Sequence, residues 1–574
     1  MLKLTLRGVF AGLILSFASP LFAAELQVRV EPANGDVRRN VENYIGDLGE
    51  RNARELLRYS RVAREQATKA LQALGFYRAD IDIEVADGDE PRLIVRVAPG
   101  EPVRLRDVQV RLQGPATGLP AFHTPDQLLR PGDVLNHGRY EEAKERFLTQ
   151  ASRYGYFDGR FTQQSLRIYP QLGVADVELV YDSGERYRLG RVQFQGDAPF
   201  DDDLLARMVP FEPGTPYDSA LIAELNRALQ SSGYFDGTRV DANPTAAVER
   251  RIPVDVMLTT REPRTLGLGV GFSTDVGPRL RFDWTRHWVN PQGHSYGAEA
   301  ELSAPRQNVG LYYDVPLDPP LTDKLRYVAG YQYEELADTD SLSRLLRLGP
   351  EWHSQLDSGW LRVVSLKWQR EEYRLGDDSG LSTLLLPGIA YSYLRSDNRI
   401  DPSEGYRLQF EIAAAKDGVL SDANLVHANA QARGLTTLGR RHRFLGRVQL
   451  GGNWTDEYVN VPPSLRYFAG GDQSVRGYDY QSLSPTNSDG DRIGGRYQFA
   501  ASVEYQFSLT ERWRIAAFAD QGNAFNDLEL PTLKQSVGVG VRWVSPVGPI
   551  RVDLAHPLDG DQGVRLHFSM GPEL

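Results

Sequence analysis

From Thr265 onward, apolar and polar residues alternate in stretch after stretch, and this period of two is what most constrains the fold. Leu266, Leu268, Val270 and Phe272 interleave with Gly267, Gly269, Gly271 and Ser273. Leu280, Phe282 and Trp284 interleave with Arg279, Arg281, Asp283 and Thr285, and residues 406–412, 497–506 and 564–570 follow the same rule. A period of two sends successive side chains to opposite faces of a strand. One face here is apolar and the other carries both signs of charge, which suits lipid outside and water inside. A soluble sandwich also alternates, but the run from Thr265 to Leu574 is far longer than a sandwich.

Candidate strands begin near Thr265, Gly277, His294, Asn308, Lys324, Ser343, Leu361, Ser382, Gly405, Ala423, His442, Gly495, Arg512, Ser536, Gly548 and Val564. That even number is what a single-chain bacterial barrel requires. Trp284 with Trp288, and Trp360 with Trp368, are expected near strand ends as interfacial girdles.

Residues 1–24 read as a secretory signal peptide. Lys3 and Arg7 flank the start of the apolar run Val9 to Phe17, and Leu21-Phe-Ala-Ala24 offers small residues for cleavage. No later stretch is apolar for long enough to span a membrane as a helix. The 574 residues contain no cysteine, which excludes disulfides, cysteine-ligated zinc, iron–sulfur clusters and a thiol nucleophile. A net charge of -11 argues against general nucleic-acid binding.

Between signal and barrel lies a repeat. Gly75-Phe-Tyr77, Gly155-Tyr-Phe157 and Gly233-Tyr-Phe235 recur at steps of 80 and 78 residues. Each triplet follows an amphipathic helix. Ala63, Ala67, Ala70, Leu71 and Leu74 share a face in the first, Tyr140, Ala143, Phe147, Leu148 and Ala151 in the second, and Leu221, Ile222, Leu225, Ala228 and Leu229 in the third. The glycine is expected to cap the helix and the aromatics to be core. A strand opens each unit and two alternating strands close it. An earlier helix lies between, and Pro131-Gly132 and Pro213-Gly214 are read as preceding it. Strand, helix, helix, strand, strand gives a small sheet covered by two helices.

This pattern resembles the POTRA domain, with units at 25–101, 102–185 and 186–263 and the barrel at 264–574. The expected architecture is therefore an α+β periplasmic arm of three POTRA domains followed by a membrane β-barrel of 16 antiparallel strands. POTRA sheets offer free edges to which an extended chain can add as a strand.

Three further segments carry a wider resemblance. They are Asp397-Asn-Arg-Ile-Asp-Pro-Ser-Glu-Gly405, Phe468-Ala-Gly-Gly471 with Val475-Arg-Gly-Tyr478, and Phe518-Ala-Asp-Gln-Gly-Asn523. With the repeated modules they resemble the POTRA–barrel outer-membrane assembly superfamily that includes BamA and TamA. Three modules match the TamA branch, the barrel subunit of the translocation and assembly module. The resemblance implies that the loop at about 456–493 folds into the lumen, where Arg476, Gly477 and Tyr478 form a latch on Glu504 and Asp520. The alternation independently points Glu504 inward. The resemblance further implies a lateral seam between Leu266, Gly267, Leu268 and Gly269 on the first strand and Val564, Leu566, Phe568 and Gly571 at the last.

The activity implied is assistance to the insertion of β-barrel clients, such as autotransporters, into the outer membrane of a Gram-negative bacterium. The partners implied are those clients, outer-membrane lipid and a TamB-like periplasm-spanning protein on the POTRA arm. The alternative is a two-partner-secretion pore that exports an unfolded partner through the lumen. Enzymatic chemistry is not expected. The nine histidines have no ligand spacing, no phosphate-binding glycine loop is present, and no carboxylates pair convincingly. Neither a cofactor nor a metal is implied.

Overall fold

The computed structural model describes residues 24–88, 91–196, 199–336, 341–528, 532–545, 548–559 and 563–571. The signal-peptide stretch up to residue 23 and the tail 572–574 lie outside the described residues. The chain forms two compact units, divided within the third module.

The first module contains β1 (Glu25–Val30), α1 (Gly35–Ile45), α2 (Ala53–Ala73), β2 (Asp80–Ala86) and β3 (Arg92–Ala98). The second contains β4 (Arg104–Gln113), α3 (His137–Tyr154), β5 (Arg160–Tyr169) and β6 (Val174–Asp182). The third contains β7 (Arg188–Gly196), α4 (Asp202–Arg207), α5 (Ser219–Ser231), β8 (Phe235–Asp241) and β9 (Arg251–Thr260). Their sheets are ordered β1-β3-β2, β4-β6-β5 and β7-β9-β8. The last strand of each module lies in the middle because its inward side chains are the most apolar. Leu93, Val95 and Val97, then Ala175, Val177 and Leu179, then Ile252, Val254, Val256 and Leu258 are all buried.

Two details differ from expectation. The first helix of the second module is replaced by 3₁₀ turns at Pro115–Gly118 and Asp126–Leu128. Pro131-Gly132 and Pro213-Gly214 lie between the two helical segments of their modules, ahead of the second rather than the first. Proline before a left-handed glycine suits a turn, and the chain must reverse there before the long helix begins.

Helix α2 starts with a capping box between Asn52 and Glu55 and buries Leu56, Ala63, Ala67, Ala70 and Leu71, at spacings of one to two turns. The first two Gly-aromatic triplets close their helices in the same way, whereas in the third the Tyr234 amide donates to the Ser232 hydroxyl at 3.2 Å. The Phe76 amide donates to the Leu71 carbonyl at 2.9 Å and the Tyr156 amide to Ala151 at 2.8 Å, each a six-to-one closure over a left-handed glycine. Gly155 also leaves room for a neighbour, since a Cβ there would lie 2.6 Å from Cβ of Tyr217. The aromatics are not all core. Tyr156, Tyr234 and Phe235 are buried, whereas the Tyr77 hydroxyl meets His137 at 2.6 Å and Phe157 packs edge-on to Tyr187 and Tyr217 of the following module.

The barrel strands are β10 (Arg264–Ser273), β11 (Gly277–Arg286), β12 (Ser295–Ser303), β13 (Arg306–Pro316), β14 (Asp323–Leu336), β15 (Ser341–Gln355), β16 (Leu361–Leu375) and β17 (Asp378–Ser396). They continue with β18 (Gly405–Ala415), β19 (Leu425–Leu438), β20 (His442–Trp454), β21 (Tyr497–Ser508), β22 (Trp513–Phe525), β23 (Lys534–Ser545), β24 (Gly548–Pro557) and β25 (Arg565–Met570). All sixteen pair in sequence order and close on themselves. The largest departure in a strand start is β17, which begins at Asp378 rather than Ser382. Val564 lies one residue ahead of β25.

Leu268, Val270, Val539 and Leu554 are among many outward apolar residues, while Arg443, Arg542, Glu371 and Asp520 are buried on the inner face. An exposed apolar belt of this extent is a lipid contact. Trp513 and Trp543 stack at 6.2 Å across strand ends, as a girdle requires. Trp368 instead lies in the middle of β16. Trp288 lies in the turn after β11, where its ring meets Phe200 just before α4. At the same turn the Tyr234 hydroxyl donates to the Gly293 carbonyl at 2.7 Å and the Asp201 amide to Pro291 at 2.9 Å. Arg207 reaches the Leu317 carbonyl in the next turn at 3.0 Å. Burial pushes the Tyr234 hydroxyl up to about 12.

Candidate functional site

The connection from β20 to β21 leaves the rim opposite the one where the chain passes from β9 into β10, and it turns back into the barrel. Val461, Tyr467, Ala469, Val475 and Tyr478 are buried, and Ala469, Val475, Tyr478 and Leu483 make a small apolar knot. Bridges between Tyr467 and Gly495 and between Ala469 and Leu483 hold it in shape. Gly471, at φ +100°, has no room for a side chain, because a Cβ would lie 2.7 Å from the Asp275 carboxylate.

The structure brings Arg476 together with Glu504 and Asp520. Nε and Nη2 donate to the two oxygens of Asp520 at 2.8 and 2.9 Å, and the Arg476 amide donates to the same carboxylate at 3.1 Å. Nη1 donates to Glu504 at 2.8 Å and to Asp553 at 3.1 Å, and Nη2 to Ser502 at 3.2 Å. The guanidinium lies 3.4 Å from the Phe518 ring centroid. Arg542 closes the cluster from below, donating to Glu504 at 2.8 and 3.1 Å and to Asp553 at 2.5 Å. Three carboxylates thus share two guanidiniums in a buried site. Such charges are tolerated only because nearly every donor and lone pair is matched. Gly477 donates its amide to His567 Nε2 at 2.8 Å, and the Tyr478 hydroxyl reaches the Gln535 carbonyl at 3.3 Å.

Reading the residues alone missed Asp553, Arg542 and Ser502. All three lie on the inner parity of their strands, so alternation could have nominated them. Two other anchors were also missed. The buried Glu371 carboxylate accepts from Ser343 at 2.7 Å and from the amide of Ser464 at 3.2 Å and its hydroxyl, so it holds the near half of the loop. At the opposite rim, Asp401 in the turn before β18 receives Arg443 at 3.0 Å and Arg514 at 2.8 and 2.6 Å. Burial works to raise the Asp401 pKa, but the Arg514 and Arg443 guanidiniums outweigh it and hold the carboxyl below the ordinary aspartate range.

The seam is short and offset from the residues expected to form it. Among the described residues the one register pair between β10 and β25 is Ser273 with Ser569. The Thr274 amide adds a bond to the Phe568 carbonyl at 3.0 Å, and the Phe272 and Phe568 rings meet edge-on at 5.3 Å. Leu266, Gly267, Leu268 and Gly269 pair only with β11, and Leu566 and Phe568 pair with β24. Gly571 follows β25 at φ +139°. The six-residue β25 cannot match the ten residues of β10, and the strand stagger brings its end to the far end of β10.

Among the described residues, histidine and acid gather at one place. Asp275, Asp472 and His567 present ligand atoms within 4.8 Å of one another, although the histidine spacing suggested no such group. Both ring nitrogens of His567 are engaged within the protein.

Family comparison gives three matches. The Omp85 superfamily domain matches residues 260–573, the POTRA domain described as TamA domain 1 matches 27–99, and a POTRA domain described as a surface antigen variable number repeat matches 187–259. The chain is 24% identical over 425 residues to the outer membrane protein assembly factor BamA of Nitratidesulfovibrio vulgaris, covering 69% of this chain and 53% of the relative. It is 22% identical over 469 residues to BamA of Neorickettsia risticii (76% of this chain, 61% of the relative), so it spans little more than half the length of either. BamA of Neisseria meningitidis serogroup B is 20% identical over 579 residues, covering 88% and 72%. The crystal structure of Haemophilus ducreyi BamA lacking POTRA domains 1–3 superposes with a TM-score of 0.66 at 16% identity, covering 82% of this chain and 99% of that one. A sixteen-stranded barrel with an apolar belt and a charged, loop-filled lumen, behind three POTRA-like sheets and matched over its whole length by the family domain, makes this chain a member of the Omp85 superfamily, an outer-membrane β-barrel protein with periplasmic POTRA domains.

Proposed function

We propose that this protein assists insertion of β-barrel clients into the outer membrane, autotransporters among them, by parting the seam between β10 and β25. One observation carries the reading. Among the described residues the first and last strands share a single register pair, while β14, β15 and β16 pair along nearly their full lengths. Backbone groups exposed in lipid are expensive, so a sheet opens where the fewest bonds must break. The freed edge of β10 is then satisfied by an incoming strand. The BamA relatives are named as assembly factors, which supports the same class of activity.

Within that class the reading is of the TamA type, with a TamB-like periplasm-spanning protein bound at the first module. The match of residues 27–99 to a TamA first domain supports this, as does the number of modules. Photo-crosslinkers along the β2 edge, at Asp82 or Glu84, test it. A TamB-like adduct is expected, and adducts that never include such a periplasm-spanning protein would contradict it.

A further inference from the structure

We infer that Asp472 is the fastener of the seam, a positioning residue that joins β10 to β25 through its carboxylate, so that seating the loop and closing the seam are one event. This rests on the seam-opening reading above and adds what holds the seam shut.

The bonds form a continuous chain. The Phe568 amide on β25 donates to Thr274 Oγ1 at 3.1 Å, and Thr274 Oγ1 donates to the Asp472 carboxylate at 3.0 Å. His567 Nδ1 meets the same carboxylate at 2.6 Å. His567 Nε2 accepts the Gly477 amide, so a neutral ring carries its proton on Nδ1 and donates it to Asp472. On the β10 side, the Asp472 amide donates to Asp275 Oδ2 at 2.8 Å. One loop residue therefore holds Thr274 and Asp275 just past the end of β10 and His567 on β25. The Asp275 and Asp472 carboxylates present oxygens within 4.8 Å of one another, and the Asp472 amide on Asp275 and the His567 ring on Asp472 offset their repulsion.

The ladder across the seam is too short to substitute. Among the described residues it consists of the Ser273–Ser569 pair and the Thr274–Phe568 backbone bond. The loop makes two further ties to β25, the Gly477 amide on His567 and Asp479 on Arg565. The Arg476 cluster is separate, because its partners lie on β21, β22 and β24. Withdrawing the loop would release both sides of the seam together. Removing the Asp472 carboxylate would loosen the seam, by taking away its bonds to Thr274 and His567, while leaving the loop latched.

The test uses the absence of native cysteine. Ser273→Cys places a thiol at a site 8% exposed beside the seam, and Ser382→Cys places a control thiol at 3% exposure on the opposite wall. Maleimide labelling is followed in native outer membranes, with heat-modifiable gel mobility confirming a folded barrel. In the D472A background the seam thiol is expected to label about tenfold faster, the effect of losing charge-assisted hydrogen bonds, while the control thiol stays slow. Thr274→Val, which removes the hydroxyl that accepts from Phe568 and donates to Asp472 but leaves the His567–Asp472 bond, gives a smaller acceleration and serves if D472A does not assemble. An unchanged seam rate in either folded variant overturns the inference, as does equal acceleration of both thiols, which would mean general loosening. Faster labelling together with normal client assembly by a covalently locked seam would leave Asp472 as the fastener and overturn the insertion reading alone.

Discussion

Arg476 meets Asp520 as a planar fork, Nε to Oδ2 at 2.8 Å and Nη2 to Oδ1 at 2.9 Å, so the loop is held by direction as well as by charge. A lysine can supply the charge but not the two parallel bonds. R476A should destabilise the barrel by about 3–5 kcal/mol, the usual consequence of leaving buried carboxylates short of a partner. R476K should recover only part of this. The denaturant midpoint of heat-modifiable mobility measures both, and a lysine variant as stable as the parent would contradict the role of the fork.

Asp401 predicts a pH dependence at the periplasmic rim. Its folded pKa lies below the ordinary value, because Arg514 and Arg443 together outweigh burial. The contribution is therefore complete above about pH 4 and is lost as pH falls through the lower folded value. D401N should cost roughly 1.5–3 kcal/mol at neutral pH, the range for hydrogen bonds to charged groups. The gap between parent and variant should close on acidification below pH 4, as read from thermal midpoints along a pH series. A gap that is constant with pH would show that the carboxylate's charge is irrelevant.

These contacts also show where sequence reading stops. Period-two alternation is set by lipid on one side and water on the other, so Glu504 could be pointed inward and the sixteen strands found without coordinates. Alternation assigns a face, not a partner. Asp401, Asp472 and Ser464 lie in connections with no period, and their partners Arg514, His567 and Glu371 are distant in the chain. The seam register was illegible for a different reason. It depends on the stagger accumulated around the whole barrel, which no single strand encodes. Trp288 misled because an indole that seats a soluble module looks in sequence like one that seats a membrane.

Phe200 predicts that the third module and the turn after β11 loosen together. Its ring lies 5.0 Å from Tyr234, 5.6 Å from Phe235 and 5.8 Å from Trp288, and it is buried. F200A should cost about 3–5 kcal/mol of local stability. Y234F removes only the bond to Gly293 and should cost about 1 kcal/mol. Hydrogen exchange should rise in parallel in α4 and in residues 287–294, more for F200A. Exchange confined to α4 would contradict a shared unit.

The most direct test locks the seam where the register places it. Ser273 and Ser569 are opposed across the closure, directly opposite residues of an antiparallel pair have Cα atoms about 4.5–5.5 Å apart, which suits a disulfide, and the chain has no native cysteine to interfere. With both changed to cysteine and oxidised, assembly of an autotransporter barrel should stop and should return on reduction. Full assembly with the seam quantitatively crosslinked would contradict the account and direct attention to the lumen as the export route.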